Sequence, residues 1–319
     1  MTSKPSTCVA IEPDLIAAAT GEAVPSAAGR VDAHIAQCAS CRNDYAHYQA
    51  VETVVGDLRT SMAPADAEDA RRRLIERLSD LRSRLVHYQV APSPLGPILI
   101  AVTEQGVTLV EYLGRGGAAG SRLFREAGVE AVEGGAEVDR LHGELREFVE
   151  GRRTHLDWSL DLRSARSDFQ RQVMQATVAV PYGAVASYAG IARELGRPAA
   201  VRAVAQALRH NPLPIVVPCH RIIGSTGKLV GYAGNKIGLK EQLLGLEGVP
   251  VNTRASRIER DAMYHYDPNP DHQYCLPTCG SILRRPLAQV RLFAHREQAA
   301  ASGLEPCLDC RPDLHPLSR

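Results

Sequence analysis

Cys219 stands in the stretch PIVVPCHRIIGSTG, residues 214–227, at the end of an apolar run and directly before His220. A thiol attacks as its thiolate, and an ordinary cysteine of pKa about 8.5 is mostly protonated at neutral pH, so a reactive Cys219 needs a base beside it. The alternative is a buried structural cysteine, which is what most isolated cysteines are. A cysteine-protease reading fits less well, because there the paired histidine comes from elsewhere in the chain.

The chain has eight cysteines, and the spacing of the others suits metal ligation. Cys38 and Cys41 form a C-x2-C, Cys275 and Cys279 a C-x3-C, and Cys307 and Cys310 a second C-x2-C. In a reducing compartment such pairs are metal ligands or nucleophiles rather than disulfides. The four C-terminal cysteines suit tetrahedral zinc. The N-terminal pattern is H-x3-C-x2-C, from His34, Cys38 and Cys41, with Cys8 as fourth ligand and His47 as the alternative.

Charge is distributed unevenly in a chain whose formal net charge is only +1. Between Glu194 and Glu241 lie Arg197, Arg202, Arg209, Arg221, Lys228, Lys236 and Lys240 with no acid. A solvated face normally mixes signs, so the run points to a polyanion, with a chance surface cluster as the bland alternative.

These residues need elements to position them, and 319 residues are too many for one ordinary core. A 45% hydrophobic and 23% charged composition describes a globular chain with no membrane-spanning run. The start MTSKPSTCVAIEPD lacks the features of a signal peptide, so a cytoplasmic protein is expected. Residues 1–57 are Ala-rich with a helical pattern from Val31 to Leu58, and 66–85 carry Leu74, Leu78, Leu81 and Leu85 on one stripe of a charged helix. That stripe fits packing on its own domain as well as binding a partner helix. From Val86 the pattern becomes a β-meander, followed by a loop at 114–122 and an amphipathic helix ended by Gly151. From Ser167 it turns helical, with Ser167 and Ser187 as caps, a stop at Pro181-Tyr182-Gly183, and a third helix opened by Pro198 and stopped by Asn211-Pro212. The last two helices predict a helix-turn-helix, the third kept slim by alanines, with Arg202 and Arg209 projecting.

Several strings together, S-x-FQ-x2-V-x2-A-x3-VPYG-x3-SY (167–188), RAV (202–204), NP-x2-I-x2-PCHR (211–221), GY-x-G (231–234) and K-x2-LL-x2-E (240–247), resemble the O6-alkylguanine-DNA alkyltransferase family over residues 86–250. The resemblance implies direct transfer of an alkyl group from guanine O6 to Cys219, once per molecule and without a cofactor. It implies that His220 activates the thiol through a water and is oriented by Glu247, that Asn211 ties the active-site turn, and that Tyr188 protonates the departing base. It further implies minor-groove binding of double-stranded DNA with the lesion flipped out. Arg202 would fill the vacated stack, Ala203, Arg209 and Arg221 would lie toward the DNA, and Tyr232 in GYAGN would close over the base. Two departures are Ala205, where the family usually has Gly, and one extra residue between Tyr232 and Lys240.

The segment holding Cys275, Cys279, Cys307 and Cys310 resembles the zinc domain of the bacterial protein Ada, including Tyr274 and the closing RPD. There the first cysteine, matching Cys275, is both zinc ligand and methyl acceptor from phosphotriesters; the alternative is a purely structural site. The Cys8, His34, Cys38, Cys41 set resembles a zinc-binding anti-sigma fold, which would make a sigma factor a partner, or else a zinc-stapled hairpin. The expected architecture is multidomain α+β. It comprises a small helical zinc domain at 1–57, a helical linker at 58–85, a ribonuclease-H-like domain at 86–162, a helix-turn-helix, winged-helix-like catalytic domain at 163–250, and an Ada-type zinc domain at 260–315. A monomeric repair methyltransferase is the leading reading. The competing one is an alkylation-sensing transcriptional regulator acting through the anti-sigma domain; a DNA-binding module with a dead site is disfavoured because the cysteine is present.

Overall fold

The computed structural model describes residues 6–61, 64–113, 117, 121–125, 129–234, 236–268 and 272–317, without the side chains of 6, 58–61, 64–67, 83 and 125. Most of the loop read at 114–122 lies outside the described residues, as does Asn235. The chain divides into two compact units, Met1–Asp80 and Leu81–Arg319.

The first unit is helical, with α1 (Ser6–Ala19), α2 (Pro25–Gln37) and α3 (Ala39–Ser61). Pro25 opens α2, where its missing N–H costs nothing. The core is small: Cys8, Leu15, Val31 and Cys41 are buried, with Ile11, Tyr45 and Tyr48 packed against them. A core of this size needs a staple. Helix α4 (Pro64–Arg84) carries the leucine stripe, with Leu74, Ile75, Leu78 and Leu81 exposed among the described residues. It ends one residue before the expected limit, since Leu85 opens the first strand.

The second unit begins with β1 (Leu85–Ala91), β2 (Ile98–Thr103), β3 (Gly106–Tyr112) and β4 (Glu130–Glu133), in the order β3-β2-β1-β4. The first three form the expected meander; β4, parallel to β1, is an addition to the sequence reading. Helix α5 (Ala136–Val149) buries Val138, Leu141, Leu145 and Phe148 in one core with Ile98, Ile100 and Val102. Leu99 and Ala101 point into a separate cluster on the opposite face, so β2 is buried on both sides and its sequence ILIAV is apolar throughout.

Helix α6 (Asp168–Val178) starts at Ser167, whose hydroxyl accepts from the Gln170 N–H. After Pro181-Tyr182-Gly183 comes β5 (Ala184–Ser187), then α7 (Tyr188–Glu194), capped by Ser187. A 3-10 turn at Pro198–Ala200 leads into α8 (Val201–Arg209). Strand β6 (Ile222–Ile223) follows the Cys219 turn, and α9 (Ile237–Leu246) leads to the hairpin β7 (Val251–Asn252) and β8 (Arg257–Ile258).

The C-terminal segment contributes β9 (Tyr264–Tyr266), β10 (Gln273–Cys275), β11 (Arg291–Phe293), α10 (Arg296–Ala301) and β12 (Glu305–Pro306). These strands continue the sheet of the preceding segment in the order β12-β10-β9-β11-β5-β6. Leu292 pairs with Val185 and Phe293 with Ala184. Val185, Ile223, Leu244 and Val249 share one buried cluster with Cys275, Cys279, Leu287, Leu292 and Cys307. Residues 163–250 and 260–315, read from sequence as separate domains, are therefore joined by a sheet and a core. The architecture is mixed α/β, and no described helix is long and apolar enough to cross a membrane.

Candidate active site and zinc centres

Cys219 lies in a 3-10 turn, Cys219–Arg221, between the 211–218 loop and β6. Asn211 organises that loop. Its side-chain amide donates to the Val217 carbonyl at 3.1 Å and to Cys219 Sγ at 3.3 Å, and its oxygen accepts from the Leu213 N–H at 2.9 Å. Ile215, buried and β-branched, has a φ of 75°, a conformation that persists only where surrounding bonds enforce it.

Behind the thiol, His220 and Glu247 are both buried, with Nε2 and Oε1 2.8 Å apart. Arg221 grips the same carboxylate through Nε and Nη2 at 2.9 Å each, and the Gly183 N–H donates to Oε2 at 3.0 Å. Burial alone would raise Glu247, but the adjoining His220 and Arg221 bring it down to about 2. An ionised carboxylate only accepts, so the proton of His220 sits on Nε2. Nδ1, buried and without a hydrogen-bond partner among the described residues, keeps its lone pair. Burial also lowers the pKa of His220 and raises that of Cys219, so in the resting site the imidazole and the thiol are both neutral.

Lys240, which the sequence placed in the basic run pointing to a polyanion, is a member of the site. It is fully buried on the same face of α9 as Leu243 and Leu244, and its ammonium donates to the carbonyls of Ile222 at 2.5 Å and Val230 at 3.0 Å. Burial lowers its pKa to about 8, and ionisation of Cys219 acts to raise it. A lysine in step with two core leucines was the available signal.

The thiol opens on a cavity of about 770 Å³ lined by Tyr188, Arg202, Ala205, Arg209, Gly231 and Tyr232, among others. On α8, Arg202, Ala203, Gln206 and Arg209 are exposed while Val204, Ala207 and Leu208 are buried, which leaves one polar, basic face. Tyr188 donates to the Val230 carbonyl at 3.1 Å. Tyr232 is buried, its hydroxyl 2.8 Å from that of Tyr112 on β3. Arg221 departs from expectation. Its guanidinium is turned inward, bound to Glu247 and to the Val180 carbonyl at 2.7 Å, so it is not available to a nucleic acid.

Both zinc sets assemble. The ligand atoms of Cys8, His34, Cys38 and Cys41 lie within 4.8 Å of one another, as do those of Cys275, Cys279, Cys307 and Cys310. Zn–S bonds of about 2.3 Å in a tetrahedron place sulfurs about 3.8 Å apart, and Cys8 Sγ stands 3.9 Å from Cys38 Sγ and 3.8 Å from His34 Nε2. The first set contains Cys8 rather than His47. The residues fit zinc at both ends of the chain, four sulfurs at one and three sulfurs with an imidazole at the other.

Two family profiles match: the DNA-binding domain of 6-O-methylguanine DNA methyltransferase at residues 168–249, and the metal-binding domain of Ada at 266–313. Among curated relatives, the methylated-DNA–protein-cysteine methyltransferase of Mycobacterium tuberculosis is 39% identical over 163 residues, covering 51% of this chain and 93% of its own. The constitutive methylated-DNA–protein-cysteine methyltransferase of Bacillus subtilis is 37% identical over 163 residues, with 51% and 96% covered. The crystal structure of Mycobacterium tuberculosis O6-methylguanine methyltransferase aligns at 38% identity and a TM-score of 0.44, covering 51% of this chain and 92% of that one.

Proposed function

Because the chain belongs to the methylated-DNA–protein-cysteine methyltransferase family and repairs DNA by alkyl transfer to cysteine, we propose that Cys219 is its acceptor. The observation that carries this reading is the buried chain from Glu247 through His220, with a free Nδ1 lone pair, next to a thiol that opens on a basic-rimmed cavity. The thiol proton passes to Nδ1 of His220 through a water, and Glu247 stabilises the imidazolium. Sulfur attacks the methyl carbon; the C–O6 bond breaks as the S–C bond forms, with no change of oxidation state. Tyr188 gives a proton to the departing guanine and is reprotonated in turn, so the thiol proton ends on the base. The thioether has no route back, and each molecule acts once.

The lesion must leave the duplex to reach Cys219. The exposed face of α8 supports minor-groove entry, with Arg202 in the vacated stack, Ala203 against the groove wall and Arg209 on phosphate. Tyr232 bounds the pocket. Residues 86–162 and 163–250 serve as the ribonuclease-H-like and winged-helix-like halves of the transferase. Zinc at Cys8, His34, Cys38 and Cys41 holds a fold whose own core is small, and zinc at Cys275, Cys279, Cys307 and Cys310 braces the segment that shares its core with the transferase. The protein acts in the cytoplasm as a monomer. The exposed leucines of α4 supply a surface for a protein partner such as a sigma factor, although the regulator reading is not favoured over repair.

Intact and peptide mass spectrometry after incubation with a duplex containing one O6-methylguanine tests the proposal. A single methyl gained on the peptide carrying Cys219, and absent in Cys219→Ala, is the expected result. A methyl elsewhere, or none with DNA binding intact, refutes it.

A further inference from the structure

The C-terminal zinc module meets the transferase at the two residues that bracket the Glu247 carboxylate. Gly183, whose N–H donates to Glu247 Oε2, accepts from the Ala294 N–H at 2.8 Å through its own carbonyl. Its φ is 70°, and any side chain there would run into the carboxamide of Gln298 on α10. Gly248, next to Glu247 in the chain, has a φ of 77°, and a side chain there would strike the ring of His295. His295 and Gln298 are themselves locked together, the His295 N–H donating to Gln298 Oε1 at 3.1 Å. The remaining contacts are similarly specific. Ser187 donates to the Leu287 carbonyl at 2.9 Å, and Arg291 reaches the Ala179 carbonyl at 3.2 Å and Glu194 at 2.9 Å.

We infer that His295 and Gln298 are positioning residues for Glu247, so that the C-terminal zinc module sets the reactivity of Cys219. The inference rests on the reading of Cys219 as acceptor. The Gln298 carboxamide packs against the Cα of Gly183, whose N–H holds one carboxylate oxygen; the His295 ring packs against the Cα of Gly248, just past Glu247. A sub-ångström displacement of either loosens the Glu247–His220 bond and with it the basicity of Nδ1. Zinc enters because Cys275, Cys279 and Cys307 share a buried cluster with Leu292 of β11 and with Ala294, which immediately precedes His295 at the start of α10.

The test uses the full-length zinc-loaded protein, with Gln298→Ala, His295→Ala and Gln298→Glu, which keeps an acceptor for the His295 N–H. Two rates are measured: single-turnover methyl transfer from an O6-methylguanine duplex, and alkylation of Cys219 by iodoacetamide as a function of pH. The alanine variants are expected to transfer about tenfold to a hundredfold more slowly at unchanged DNA affinity. Their iodoacetamide curves are expected to move to higher pH, and Gln298→Glu to recover most of both. Wild-type rates and an unmoved curve in both alanine variants overturn the inference. Failure of the wild type to accept methyl refutes the acceptor reading alone, since the iodoacetamide curves still decide the coupling. If the alanine variants do not fold, hydrogen exchange of the wild-type segment 180–187 with and without a zinc chelator decides instead. Loss of protection at Gly183 on chelation is expected, and unchanged protection overturns the inference.

Discussion

Tyr188 and Lys240 donate to the same acceptor: the phenol and the ammonium both reach the carbonyl oxygen of Val230, at 3.1 and 3.0 Å. That carbonyl immediately precedes the GYAG loop, so the proposed proton donor and the buried cation both fix the loop that bounds the base pocket. Replacing Lys240 by Met keeps the volume but removes the positive charge that favours the Cys219 thiolate. The pH profile of single-turnover transfer is expected to shift upward by about one unit, a rate loss of about tenfold at neutral pH. An unshifted profile would remove Lys240 from the chemistry.

Glu247 gives an acid-stability prediction with a definite sign. Its folded pKa is depressed to about 2 from an ordinary 4.5, so its contribution is complete above the ordinary value and is lost as pH falls from there toward 2. Glu247→Gln should flatten the thermal-stability curve in that window. It should also cost about 3–5 kcal/mol near neutrality, because Arg221 is left as an unmatched buried charge. Urea unfolding at several pH values checks both.

The Tyr112–Tyr232 hydroxyl pair is buried at 2.8 Å, joining β3 to the pocket loop. Either single Phe substitution strands the other hydroxyl and should cost about 1–3 kcal/mol. The double variant should cost less than the two singles together. Denaturant titrations closing the cycle with strict additivity would contradict the pairing.

On α8, Arg202 and Arg209 face outward, whereas Arg221 faces the core. Arg209→Ala should reduce the slope of log K against log salt for undamaged duplex by about one, as loss of one phosphate contact does. Arg221→Ala should leave the slope of any folded fraction unchanged and act through stability.

Metal analysis of the purified protein should find two zincs per chain. Cys8→Ala should lower the count to one, and His47→Ala should leave it at two, since the first ligand set contains Cys8 and not His47. A count of two in Cys8→Ala would reassign the fourth ligand.

Much of the site was legible because its chemistry is local in sequence. Cys219 and His220 are adjacent, Asn211 stands eight residues upstream, and the serine caps at 167 and 187 act within three residues of themselves. What failed to read was whatever depends on distant partners. AVAS at 184–187 is a short, unremarkable stretch that becomes a central strand only because β11 arrives from about a hundred residues away. Arg221 and Lys240 sat in a one-sign run and read as facing DNA or solvent. A buried carboxylate turns the first inward, and two main-chain carbonyls anchor the second.

The strand order β9-β11-β5-β6 also sets the terms on which this chain could be divided. Cutting at residue 250, where the transferase motif ends, would strip β11 from β5 and leave an unpaired strand edge beside Val185, Ile223 and Leu244. Bare edges of that kind recruit other chains. In this chain the C-terminal strands cover that edge, and a chain cut at residue 250 is expected to expose it, which light scattering of the truncated protein would read.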